Sequence, residues 1–199
     1  TLSRPTILTR SPSSGDTTPQ PVKPEKKGPL QEQTIPTPNK GRKPSHAMTA
    51  LTTKEFTTWA NRLAGLPWPM TAGEFAKIAT GEFGWAIFDG DQVLTATFSN
   101  CSEYVLVGRR STGEVRRILF AAVRAEKDGS RSELARLNDH FVNYANAGSV
   151  EWGEAFKTVI GKRPLKAWRA INDGVCELVR GPHEVTVTLY TPQGARYYE

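Results

Sequence analysis

The sequence predicts an α+β protein: a single antiparallel sheet with helices packed on one face, in the order ααββββααβββ, behind an extended Pro-rich arm. Three observations lead there. Helix-start signatures of the Ser/Thr-x-x-Glu type stand at Thr52, Thr71 and Ser130, each ahead of apolar residues at helical spacing. Between the second and the third, four β-prone segments follow one another across turns too short for parallel crossovers. Residues 165–191 then return to strand-like alternation.

The arm comes first in the chain. Residues 1–47 hold eight Lys/Arg against three Asp/Glu, a charge of +5 out of the chain's +6, together with nine of the 14 prolines and no aromatic residue. Such a segment cannot bury enough apolar surface to offset its ordering entropy, so alone it is expected to be disordered or polyproline-like. We assign residues 1–50 to the arm and 51–199 to a globular domain with a nearly neutral charge.

The body opens on Thr52-Thr-Lys-Glu55, a capping box flanked by Leu51 and Phe56 at hydrophobic-staple positions. Phe56, Trp59, Ala60, Leu63 and Leu66 share a helical face, which Gly65, Pro67 and Pro69 end. Thr71-Ala-Gly-Glu74 repeats the device, with Met70 and Phe75 as staple residues and Gly81 and Gly84 as the stop. Trp85–Asp89, Val93–Ser99, Glu103–Arg109 and Glu114–Arg124 read as four strands of a meander. A third box, Ser130 to Glu133, starts a helix with the stripe Leu134, Leu137, Phe141 and Tyr144, which Gly148 is expected to break. A shorter helix is expected to carry Trp152, Phe156, Val159 and Ile160. Residues 165–171 and 175–180 read as strands joined through Asn172-Asp173-Gly174, a hairpin signal because Asp-Gly tolerates positive φ. The last strand, at 184–191, alternates Val185, Val187 and Leu189 with polar residues.

Motifs for chemistry are scarce. The chain has no Walker loop, no G-x-S-x-G elbow, no G-x-G-x-x-G and no H-E-x-x-H. His46 falls in the arm, His140 beside an apolar stripe and His183 in a turn, all places where a structural role suffices. Cys101 and Cys176 lie far apart with no close ligand pair, and they read as free thiols, with a disulfide between them as the alternative, rather than as a metal site. Asp89 and Asp91 flank Gly90 as ordinary turn residues. No catalytic residue, cofactor or metal is therefore expected. No apolar run has the length of a membrane span, and no signal-peptide pattern opens the chain, so no membrane partner and a cytoplasmic location are expected.

Gly41-Arg-Lys-Pro44 resembles an AT-hook core, but Lys40 replaces the arginine that precedes the glycine in that motif. Lys40, Arg42 and Lys43 are expected to make weak, non-specific nucleic-acid contacts from a solvated tether. The remaining signal is aromatic. Trp168 and Arg169 on one strand, with Tyr190, Arg196, Tyr197 and Tyr198 near the end, have the composition of interface anchors on an open sheet face.

Across residues 51–191, "LTTKEFTTWANRLAGLPW", "FGW" at 83–85 and "CELVRGPHEVTVTLYT" resemble small actinobacterial proteins encoded beside polymorphic toxins. The resemblance implies an immunity-like protein without catalytic activity that neutralises a toxin by occluding it. An alternative expectation is a structural subunit, as in a virion, whose basic arm laces into neighbouring subunits.

Overall fold

The computed structural model describes residues 48–99, 102–125 and 130–198. Residues 1–47 of the arm, with Lys40, Arg42 and Lys43, lie outside the described residues, as does Cys101. Among the described residues the protein has four helices and a single antiparallel sheet of nine strands.

The three helix starts marked by capping boxes are where their side chains require them. Helices α1 (Thr53–Ala64), α2 (Ala72–Glu82) and α3 (Arg131–Trp152) are capped by Thr52, Thr71 and Ser130. In each, the cap hydroxyl accepts from the backbone N–H three residues on, and the glutamate there accepts from the cap's own N–H. Glu55 is bound a second time, because the Ser99 N–H donates to its other oxygen at 3.0 Å. Burial works against its ionised form, but the hydrogen bonds from Ser99 and Thr52 outweigh burial and hold its pKa at about 2.

The strands are β1 (Thr49–Ala50), β2 (Ala86–Asp89), β3 (Val93–Thr97), β4 (Ser102–Arg109), β5 (Val115–Arg124), β6 (Lys157–Val159), β7 (Leu165–Arg169), β8 (Val175–Arg180) and β9 (Glu184–Tyr190). They lie in the order β2-β3-β4-β5-β9-β8-β7-β6, with β1 added on β5. Two four-stranded meanders, β2–β5 and β6–β9, thus meet through their last strands. The β5–β9 pair runs from Arg117 opposite Tyr190 to Arg124 opposite Glu184.

The pleat sends alternate residues to opposite faces. One face carries Leu94, Val105, Val107, Ile118, Phe120, Trp168, Cys176, Leu178, Val187 and Leu189, all buried in one core with Phe56 and Leu63 of α1, Phe75 of α2, and Leu137 and Tyr144 of α3. The Tyr144 hydroxyl, inside this core, lies 2.6 Å from the Leu51 carbonyl and 3.1 Å from that of Ala122, tying α3 to the entry of α1 and to the sheet. Asn61 clasps α1 to α3, donating to Glu151 at 2.6 Å and accepting from the Trp152 indole at 2.8 Å.

Several expectations need correction. Thr49–Ala50 pair with Arg124 and Val123, so backbone pairing begins before the first helix cap. Gly148 does not break α3. A Cβ there would stand 3.0 Å from the Trp168 ring, so the glycine marks where the helix presses on the sheet. The expected shorter helix is absent: α3 continues through Trp152, Gly153 (φ 83°) stops it, and Lys157–Val159 form edge strand β6. Between β7 and β8 the positive φ falls on Asn172 (58°) and Asp173 (61°) rather than on Gly174. A short helix not expected from the sequence, α4 (Pro192–Ala195), follows β9 and is capped by Thr191.

Candidate functional site

The second face of the sheet divides in two. Over β6–β9 it is closed by the end of the chain. Ala195 of α4 packs with Ala167 and Val175, with Leu165, Tyr190 and Tyr198 beside them. The Tyr198 hydroxyl donates to Glu177 at 2.6 Å, and its ring meets Tyr190 edge-on at 4.9 Å and Phe156 at 5.8 Å. Burial, then Glu177, pushes the Tyr198 phenol far up, so it stays a donor at any physiological pH.

Over β2–β5 no element covers the face among the described residues. Phe88 and Tyr104 lie edge to face at 4.8 Å. With Val93, Leu106, Leu119 and Ala121 they line a shallow hollow of about 370 Å³. Phe88 is 63% exposed, Tyr104 48% and Leu106 47%, high values for large apolar side chains standing side by side. Arg124 and Glu184 close one end of the hollow, where Arg124 also bridges to the buried Glu103 at 3.1 Å.

At the other end, two residues further along β4 and β5, the surface becomes cationic. Gly108, Arg109, Arg116, Arg117 and Tyr190 line a recess of about 240 Å³. Arg110 and Arg116 sit over the Tyr197 ring, at 4.6 and 5.0 Å from its centroid. Arg109 is ion-paired with Asp91 at 3.6 Å.

The residues expected as interface anchors fare differently. Trp168 is fully buried on the helix-covered face, against Trp152 and Gly148, and is removed from the set. The alternation that puts Arg169 on the second face necessarily sends Trp168 to the first. Arg169 lies over the Phe156 ring at 4.6 Å. Tyr190 and Tyr198 come together on the second face, Tyr197 lies under Arg110 and Arg116, and Arg196 is exposed at the end of α4. Sequence reasoning missed Phe88, Tyr104 and Leu106 and the four arginines. A signal for the latter was present in "GRRSTGEVRR", where Arg pairs flank a hairpin turn and must meet across it.

Half-buried His140 stacks on Tyr144 at 6.0 Å, and burial, then Arg136, lowers its pKa. Cys176 is a free thiol that burial keeps protonated, opposite Trp168 in the core. Among the described residues, no group of three or more His, Cys, Asp or Glu side chains is placed to hold a metal ion, and no helix is long and apolar enough to cross a membrane.

Fold and site together define an α+β protein with three helices on one sheet face and a second face left half open. The chain belongs to a family of unknown function (DUF6301), whose sequence model matches residues 54–191. No curated protein and no solved structure matches it significantly.

Proposed function

We propose that the protein is a non-catalytic binding module that covers a partner protein with the open β2–β5 face, in the manner of an immunity protein occluding a toxin. The observation that carries this reading is the contiguous exposed apolar group of Phe88, Tyr104 and Leu106 on a hydrogen-bonded sheet. Antiparallel strands hold these side chains in place before any partner arrives, so little ordering entropy opposes binding. The arginine corner and Tyr197 supply a cationic, aromatic rim, which matches a partner with an apolar centre and an acidic border.

The test is to read the neighbouring genes and, where one encodes a toxin-like protein, to titrate the purified chain against that product by calorimetry and by inhibition of its toxicity. Tight one-to-one binding that Leu106→Asp weakens at least a hundredfold is expected. Unchanged affinity in Leu106→Asp, or no complex at micromolar concentrations, rejects the reading. Self-assembly in light scattering that requires residues 1–47 would support the structural-subunit alternative instead.

A further inference from the structure

We propose that the arginine recess at the β4–β5 hairpin is a binding site for a phosphate-class dianion, either inorganic phosphate or a phosphate monoester. This goes beyond the protein-binding reading and stands on different side chains from the apolar hollow.

The first argument is backbone geometry. Gly108 pairs with Arg117, but the next β4 residue, Arg109, pairs with Val115, so Arg116 has no partner in the register and forms a bulge. In an unbroken strand, successive side chains leave opposite faces. The bulge breaks that alternation, and both Arg116 and Arg117 line the same recess. The distortion is held from behind, where Thr191 donates its N–H to the Arg116 carbonyl at 3.0 Å and its hydroxyl to the Val115 carbonyl at 2.9 Å.

Space is the second argument. A Cβ on Gly108 would stand 2.7 Å from Arg117 Cγ and 2.9 Å from its Nε. The glycine therefore lets the Arg117 side chain lie across β4, where it lines the recess.

Charge is the third. Arg109 has Asp91, but among the described residues neither Arg116 nor Arg117 has a carboxylate within ion-pair distance. The Glu177 carboxylate accepts from the hydroxyls of Tyr198 at 2.6 Å and Tyr190 at 3.5 Å. Two arginines lining one recess without a carboxylate leave it net cationic, and a doubly charged oxyanion is attracted there more strongly than a singly charged one. Their planar N–H forks match the oxygen spacing of phosphate, and the Tyr190 side chain forms a wall of the recess.

The experiment titrates the full chain with inorganic phosphate at low salt, followed by calorimetry and by amide chemical shifts, against sodium chloride and sodium acetate at equal ionic strength. Saturable phosphate binding that chloride and acetate do not reproduce is expected. Arg116→Ala/Arg117→Ala should weaken it at least tenfold. Gly108→Ala should weaken it several-fold with the charge unchanged, because it displaces Arg117. Arg116→Lys/Arg117→Lys, which keeps the charge and so the fold's electrostatics, should also bind several-fold more weakly, since the forks are gone. Phenyl phosphate binding more tightly than phosphate assigns the site to a monoester whose organic group reaches the apolar hollow; equal binding assigns it to the free ion. Phosphate behaving like acetate overturns the proposal, as does wild-type affinity in the alanine pair or in Gly108→Ala. No protein partner enters these titrations, so their failure leaves the protein-binding reading untouched, and the reverse holds too.

Discussion

The two halves of the second sheet face are built from similar meanders and end differently. Over β6–β9 the chain folds back, and Ala195 and Tyr198 seal Ala167 and Val175 from water. Over β2–β5 residues equally apolar, Phe88, Tyr104 and Leu106, stay exposed. A covered half contributes to stability; an exposed half contributes little to it and is free to contribute to binding.

The contrast is broken most severely from the covered side. Trp168→Ala should cost about 3–5 kcal/mol in chemical denaturation, because a fully buried indole leaves a cavity under α3. A cost below about 1 kcal/mol would show that the core is not packed as described. Next comes the seal on the closed half. Tyr198→Phe removes the 2.6 Å hydrogen bond to Glu177 and should cost about 1.5 kcal/mol; a neutral result would mean that the tail does not close this half in solution.

The pH profile sharpens the comparison further. Tyr198 and Tyr190 have raised phenol pKa values, chiefly through burial, so the folded state keeps protons that the unfolded chain releases above its phenol value of 10.0. Their contribution is complete below pH 10 and is lost as pH rises beyond it. Tyr198→Phe should flatten that alkaline limb in melts recorded from pH 8 upward, and an unchanged slope counts against the assignment. At the acid end Glu55 behaves in the opposite sense. Its lowered pKa means stability present above 4.5 and lost as pH falls toward about 2. Glu55→Gln should shrink the acid-induced fall in the melting temperature.

The smallest stability effects belong to the open half. Phe88→Ala and Leu106→Ala should each change unfolding free energy by no more than about 0.5 kcal/mol while weakening partner binding. A loss above about 2 kcal/mol from either would mean that the face is part of the core.

How legible this was depends on the range of the interactions involved. The three capping boxes each lie within four residues, and all three close as read. The meander was readable because its turns are short and its strands alternate. Gly148 misled because a glycine is a helix breaker by propensity alone, whereas here its missing side chain is what admits the Trp168 ring. Lys157–Val159 took strand pairing because Leu165–Ala167 offers an edge, a partner that the helical spacing of Phe156, Val159 and Ile160 does not reveal. The arginine recess was half legible: the Arg pairs are visible around the hairpin, but the bulge that brings Arg116 and Arg117 together is not.

By itself, then, the sequence determined the α+β class, the first antiparallel meander, the last three strands and the three capped helix starts, because these rest on backbone hydrogen bonds and side-chain periodicity within a few residues. Only the tertiary structure decided which sheet face the helices cover. Period-two alternation separates Trp168 from Arg169 but is symmetric between the two faces, and the symmetry is broken by α1, α2 and α3 packing from one side. The same packing buried Trp168, left Phe88, Tyr104 and Leu106 in water, and let the final residues close one half of the remaining face and not the other.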